Sequence, residues 1–159
     1  MTTRIEKINE KKLVGKRLTM SFANYRVSEL WQSFMPKRNK ILNNLNKDLI
    51  SMVIYNATHF TDFKPNNQFE RWATVEVSDF NNVPEEMETF LLPAGLYAVF
   101  LHIGDAKTFV NNFKYIMEIW LPNSEYVLDN RPHFEVLGET YKNNDPHSEE
   151  EIWIPIRLK

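Results

Sequence analysis

Hydrophobic and polar positions along the chain follow a strand-helix-strand-strand order that occurs twice. In the first half, residues 12–22 mix apolar and polar positions in the manner of a strand. Residues 27–45 then carry a helical apolar stripe, and Pro36 predicts a kink or a division into two helical pieces. Residues 49–55 and 69–77 predict two strands, the second with strict alternation.

The second half repeats this order after a connector at residues 78–86. The repeat favours an internal duplication, with halves of about 4–78 and 87–159. Its predicted elements are a strand at 89–103 broken near Pro93 to Gly95, a helix at 106–120, and strands at 134–138 and 152–158. Three residue pairs separated by about 80 positions are the predicted counterparts: Gly15 with Gly95, Tyr55 with Glu135, and Trp72 with Trp153.

Two such units pack most simply as one α+β domain over residues 1–159, in which both helices cover one face of an antiparallel sheet. A pseudo-two-fold axis would relate the halves. The opposite face would then form a ligand groove between them. Its predicted lining comes from both halves: Tyr55, Trp72, Thr74, Glu76, Glu135 and Trp153.

The last two strands suggest the chemistry of that groove. Glu135 shares its strand face with an apolar residue rather than with other charges, and Trp153 lies on the face opposite three isoleucines. A carboxylate beside aromatic surface is how proteins hold apolar, often cationic, small molecules. The competing interpretation is that Glu135 is solvated on a half-exposed strand and that Trp153 is a partly covered edge residue.

Composition narrows the function classes. The chain has 159 residues, no cysteine and a net charge of −2, and its basic residues are scattered, which disfavours a nucleic-acid partner. The charged N-terminus lacks the apolar run of a secretory signal, and no segment reaches transmembrane length, so we predict a cytoplasmic protein without membrane attachment. Aromatic residues make up 13% of the chain, enough for a core and a pocket lining.

Motifs for most other chemistries are absent. The four histidines show no metal-ligand spacing, the four glycines form no phosphate loop, and no nucleophile motif occurs, so we expect no metal and no cofactor. Glu135 or Glu76 in an aromatic groove would have a raised pKa, suited to general acid or base work, or would recognise a cation. His102 is predicted to be a core or sheet-edge histidine rather than a catalytic base, and the Glu149 to Glu151 run to be a solvated loop and strand entry.

Five segments together resemble the GyrI-like small-molecule-binding domain, the effector-binding domain of AraC-type and multidrug-sensing transcription regulators. These segments, spread from Ile5 to Leu158, are LWQSFMPKRNKI, FERWATVEV, GLYAVFLHIG, WLPNSEYVLDNRPHFEVLG and EEIWIPIRL. The resemblance implies a duplicated strand-helix-strand-strand fold with a groove between the halves. It also implies that Glu135 meets cationic aromatic ligands, with a wall formed by Tyr55, Trp72, Tyr97 or Phe100, and Trp153.

The resemblance leaves three functions open. The chain has no residues for a helix-turn-helix unit and so resembles the stand-alone members, which suggests a binder of apolar or cationic aromatic molecules for sensing, sequestration or toxin protection. Other members resemble hydrolases of cyclopropane-bearing xenobiotics. In that case Glu135 would be the general acid or base, and Tyr55 or another groove hydroxyl would orient substrate or water. The third hypothesis is a protein-interaction module, in which the aromatic face binds a partner or forms a homodimer.

Overall fold

The computed structural model describes all residues from 1 to 159 and contains nine strands and two helices. Helix α1 spans Val27–Phe34 and α2 spans Ala106–Tyr115; each continues in a differently wound segment, Met35–Lys40 and Ile116–Trp120 respectively. The strands are β1 (Thr3–Ile8), β2 (Lys11–Met20), β3 (Leu49–Tyr55), β4 (Phe69–Val77), β5 (Glu88–Leu92), β6 (Gly95–Ile103), β7 (Tyr126–Leu128), β8 (His133–Leu137) and β9 (Glu149–Leu158).

All nine strands form one antiparallel sheet, in the order β1-β6-β9-β8-β3-β4-β2-β5, with β7 paired to the end of β9. In the first half β4 lies between β2 and β3, and in the second half β9 lies between β6 and β8. The halves meet where β3 pairs with β8, and there Ser51 lies opposite Glu135. This arrangement confirms the predicted α+β fold of two similar halves.

The leading strand of each half pairs with the other half. Strand β1 precedes β2 but pairs with β6, whereas β5 precedes β6 but pairs with β2. Only residues 9–10 separate β1, at one end of the sheet, from β2, near the other end. The sheet must therefore curl until its two ends lie beside each other.

Curling gives the sheet two different sides. On the helix-facing side, α1 packs Leu30 and Phe34 against the first half, and the α2 region packs Ile116 against Phe100 and Ile154 of the second half. The helix-free side lies inside the curl and is filled by its own apolar side chains. These buried residues are Ile8, Leu13, Ile50, Met52, Trp72, Leu92, Tyr97, Val99, Phe134 and Trp153.

The predicted counterparts between the halves are wrong at the level of single residues. In each half, two residues separate the leading strand from the next strand, residues 9–10 in the first half and 93–94 in the second. When the halves are aligned at these two breaks and the strand pairing is followed, Glu151 occupies the position that Trp72 has in the first half. The same alignment matches Gly15 with Val99, and Tyr55 with Glu139, beyond the end of β8. The halves differ in loop length, so no single separation relates all their strands.

Other predictions about elements have clear outcomes. Pro36 does end the regular α-helix, which stops at Phe34 before the tighter turns of Met35–Lys40. The break near Pro93 is also confirmed and separates β5 from β6. Strands β1 and β7 were not predicted. No helix is both long and apolar enough to pass through a membrane.

Candidate functional site

Two carboxyl groups lie side by side on the helix-facing side of the sheet. Glu135 on β8 is directly opposite Ile152 on β9, and Glu150 lies two residues before Ile152 on the same strand face. Pairing across β3 also places Ser51 opposite Glu135. Strand alternation thus directs Glu135, Glu150 and Ser51 toward the helices, and Glu135 and Glu150 are called the carboxyl pair below.

Arg71 on β4 supplies the nearest positive charge. Its Nη1 donates a hydrogen bond of 2.9 Å to Ser51 Oγ and lies 3.9 Å from Glu135 Oε1. The Arg71 side chain is only 9% exposed and that of Glu135 only 19%. The guanidinium therefore attracts Glu135 without a direct hydrogen bond to it, and its own Nε–H has no acceptor in the protein.

The carboxyl pair holds a proton near neutral pH. Burial raises the pKa of Glu150 to about 8, and the neighbouring charge of Glu135 adds to the increase. Burial also raises the pKa of Glu135, although the attraction of Arg71 opposes this. Two carboxylates in one poorly solvated position cannot both ionise without cost, so Glu135 faces Arg71 as the anion while Glu150 keeps its proton.

His102 on β6 lies beyond Glu150. Its Nδ1 is 2.8 Å from Asn112 Nδ2 on α2; because an amide nitrogen donates, Nδ1 accepts and the ring hydrogen is on Nε2. Nε2 is 4.0 Å from Glu150 Oε1 and has no hydrogen-bond partner. Burial lowers the pKa of His102, which keeps the ring neutral. His102 therefore presents a neutral N–H toward the carboxyl pair.

Aromatic side chains enclose the same side of the sheet. The Tyr55 ring at the end of β3 lies 4.8 Å from Phe60 and 4.9 Å from His133, between ring centroids. Phe60 belongs to the loop between β3 and β4, and its ring lies 6.3 Å from Phe113 on α2. Burial lowers the pKa of His133 to about 3 and raises that of Tyr55, so both are neutral. The Tyr55 and His133 side chains on this side of the sheet are thus uncharged.

The structure divides the predicted groove between the two sides of the sheet. Glu135 and Tyr55 both lie on the helix-facing side, whereas Trp72 and Trp153 lie on the helix-free side. Pairing explains the division, because Glu135 opposes Ile152 while Phe134 opposes Trp153. The prediction that these residues share one face opposite the helices is wrong.

The remaining predicted wall residues are also separated from Glu135. Phe100 lies on the helix-facing side but packs edge-on against Trp120, at 5.0 Å between ring centroids. Tyr97 lies on the helix-free side, and its hydroxyl donates a 2.8 Å hydrogen bond to the carbonyl of Pro132. Glu76 is on that side too, 3.5 Å from Lys11 Nζ.

The helix-free side is a core rather than an open surface. Trp72 is 3% exposed and Trp153 is 7% exposed. Trp153 stacks on Phe134 at 5.0 Å, and its Nε1 donates to Glu151. Because these rings are buried, Trp72 and Trp153 do not form the exposed aromatic surface that the protein-interaction hypothesis requires.

Several residues of the site were missed or misjudged from the sequence. Glu150 is predicted from the sequence to be solvated. It lies an even number of residues from the buried isoleucines of β9 and therefore on the same strand face, and this alternation could have identified it as buried. Arg71 likewise lies on the same strand face as the buried Ala73 and Val75. Phe60 and His59 lie in a loop without periodicity and gave no such signal. No group of three or more His, Cys, Asp or Glu side chains is placed to hold a metal ion.

Solved structures of other proteins share this fold. SAV2435, solved bound to tetraphenylphosphonium, superimposes with a TM-score of 0.76 over 99% of this chain and 94% of that one, at 15% identity. The EcmrR C-terminal domain superimposes with a TM-score of 0.73 over 99% of this chain and 98% of that one, at 17% identity.

A regulator is related in sequence. The transcriptional regulator BrlR of Pseudomonas aeruginosa is 27% identical over 145 residues, which cover 91% of this chain and 51% of the regulator. The chain thus spans about half the length of this relative. The sequence profile of the GyrI-like small-molecule-binding domain matches residues 1–157. The chain therefore belongs to the GyrI-like small-molecule-binding domain family.

Proposed function

We propose that the protein binds an apolar or cationic aromatic small molecule on the helix-facing side of the sheet, at the carboxyl pair. The observation that carries this proposal is a pair of largely buried carboxyl groups whose nearest cation, Arg71, stands 3.9 Å from Glu135 without a hydrogen bond to it. Burying an incompletely paired carboxylate is costly, and a bound cation would recover part of that cost.

The surrounding rings suit such a ligand. A cation over an aromatic face gains about 0.5 to 2 kcal/mol, so two or three faces supply about 1 to 6 kcal/mol of the roughly 8 kcal/mol that micromolar affinity needs, and the carboxylate has to supply the remainder. Tyr55 interacts with the charge of Glu135, and Phe60 and Phe113 continue the row of rings from Tyr55. SAV2435 was solved with tetraphenylphosphonium, an aromatic monocation, which supports the same ligand chemistry here.

Exposed aromatic residues mark an entry route. Phe22, Tyr25 and Phe63 are each about half exposed, and Phe22 lies 6.0 Å from Phe63. Phe22 is 6.3 Å from His59, which in turn lies 4.5 Å from Tyr55. This chain of rings leads from solvent to the cover of the site, so we infer that ligands enter there by displacing the loop that carries His59 and Phe60.

Calorimetric titration with tetraphenylphosphonium tests the proposal. Wild-type protein is expected to bind one equivalent with micromolar affinity, and Glu135→Gln to weaken binding at least tenfold, about 1.4 kcal/mol. Glu76→Gln is the matched control, because Glu76 is a partly buried glutamate on the other side of the sheet. Absence of saturable binding, or equal weakening by both substitutions, would overturn the proposal.

The second candidate function is hydrolysis of an electrophilic xenobiotic. It is favoured by the protonated Glu150 beside an ionised Glu135, since one carboxyl group can donate a proton while the other activates water. Turnover of a cyclopropane-bearing substrate beyond one equivalent, abolished in Glu135→Gln while binding survives, would establish it. Product that never exceeds one equivalent of protein would exclude it.

A further inference from the structure

We propose that Arg71 is a second recognition group, whose buried Nε–H donates a hydrogen bond to an uncharged acceptor oxygen on the ligand. The preferred ligand is then an aromatic molecule that carries a carbonyl, phosphoryl or similar oxygen. This inference rests on the proposed function, because it concerns the same site, and it adds a feature of the ligand that the carboxyl pair alone does not select.

The first support is the incomplete hydrogen bonding of Arg71. A guanidinium has five N–H donors, and here Nη1 donates to Ser51 Oγ while the buried Nε–H meets no acceptor. A buried donor that lacks an acceptor carries a free-energy cost that a ligand oxygen would remove. The nearest charged group, Glu135, stands 3.9 Å from Nη1 and so does not meet this need.

The second support is the charge of the surroundings. Arg71 is flanked by Glu135 and lies near Glu150, Tyr25 and Tyr55. A ligand carboxylate placed at Arg71 would be repelled by Glu135, whereas a neutral oxygen would not. With Glu135 ionised and Glu150 protonated, the positive and negative charges of the three residues balance. A neutral ligand with one strong acceptor oxygen is therefore compatible with the charge of the site, in addition to the cation that Glu135 favours.

Triphenylphosphine oxide and triphenylphosphine sulfide provide a matched pair of probes. They have the same aromatic body, but the oxide carries a strong acceptor and the sulfide a weak one. Each is titrated in competition with tetraphenylphosphonium, which has no acceptor. We expect wild-type protein to bind the oxide about tenfold more tightly than the sulfide, the size of effect expected for a hydrogen bond to a charged donor.

The variant Arg71→Met removes the donor and is expected to abolish the preference for the oxide. If this variant does not fold, Arg71→Met combined with Glu135→Gln removes the unpaired carboxylate as well, and the ratio of oxide to sulfide affinity is measured there. Equal affinity in the wild type, or a preference that survives removal of Arg71, would overturn the inference. Failure of tetraphenylphosphonium to bind at all would instead overturn the proposed function.

Discussion

Glu150 differs from an ordinary surface glutamate because it keeps its proton at neutral pH. Burial and the neighbouring Glu135 both disfavour its anion, while the N–H of His102 stands 4.0 Å away, beyond hydrogen-bond reach. A cation that enters the site would favour the doubly ionised carboxyl pair. Cation binding at Glu135 is therefore expected to release the proton from Glu150.

Proton release predicts that cation affinity depends on pH. The affinity for tetraphenylphosphonium should rise about tenfold per pH unit up to the pKa of Glu150, about 8, and remain constant above it. In Glu150→Gln no proton has to leave, so the affinity should be nearly constant between pH 6 and 9. Calorimetry in two buffers of different ionisation enthalpy measures the released proton directly. Identical pH profiles for the two proteins would contradict the assignment.

The same residue predicts a change of stability with pH. The pKa of Glu150 is higher in the folded than in the unfolded protein, so its contribution to stability is present at low pH and is lost as pH rises toward about 8. The free energy of unfolding should decrease between pH 7 and about pH 8 and level off above it, and Glu150→Gln should reduce this decrease. Urea unfolding measures it. The buried histidines interfere little, because unfolded histidine, with a pKa of about 6.5, is mostly neutral in this range.

The sequence predicted some site residues and missed others for identifiable reasons. Glu135 was recognisable because it interrupts an apolar strand. Tyr55 was predicted as its counterpart in the duplication, a match that the strand register does not support. The error over Trp72 and Trp153 arose because alternation within a strand does not say which of its faces meets the helices. That assignment depends on pairing between strands that are distant in sequence, such as β8 with β9.

Among the elements, the pairing of β2 with β4 depends on a close backbone approach at Gly15. A methyl group at Gly15 would lie 1.8 Å from the carbonyl oxygen of Ala73, which is backbone and cannot rotate away. We predict that Gly15→Ala lowers the free energy of unfolding by about 3 kcal/mol. Thermal and urea unfolding measure the change.

Gly138 is the matched control for this prediction. A methyl group there would lie 3.4 Å from Asp48 Oδ1, an ordinary contact, so Gly138→Ala should change stability by less than about 1 kcal/mol. Equal effects of the two substitutions on the free energy of unfolding would contradict the prediction that the close approach of β2 and β4 at Gly15 excludes a side chain.

Elements with strong internal patterning were predictable, and those that depend on distant partners were not. The stripe of α1, its interruption at Pro36 and the alternation of β4 are local features of the sequence. Strand β1 has a charged, weakly alternating sequence. It is extended because its backbone pairs with β6, whose edge would otherwise be unpaired. Its partner is far away in the chain, which no local pattern reports.

At the scale of the whole molecule, the exchange of β1 and β5 makes the halves depend on each other. Each half provides the strand that covers the other half's edge. We predict that fragments 1–85 and 86–159 are each unfolded alone and assemble when mixed, as followed by the dispersion of amide NMR signals. A fragment that unfolds cooperatively on its own would contradict this dependence.

The position of a bound ligand tests the central claim most directly. We predict that a crystal of the protein with (4-bromophenyl)triphenylphosphonium shows one anomalous bromine peak on the helix-facing side. The phosphorus should lie within about 6 Å of the carboxyl group of Glu135, the range over which an opposite charge stabilises a carboxylate. A ligand bound instead among Trp72 and Trp153 inside the curled sheet, or only on the outer surface, would contradict the account.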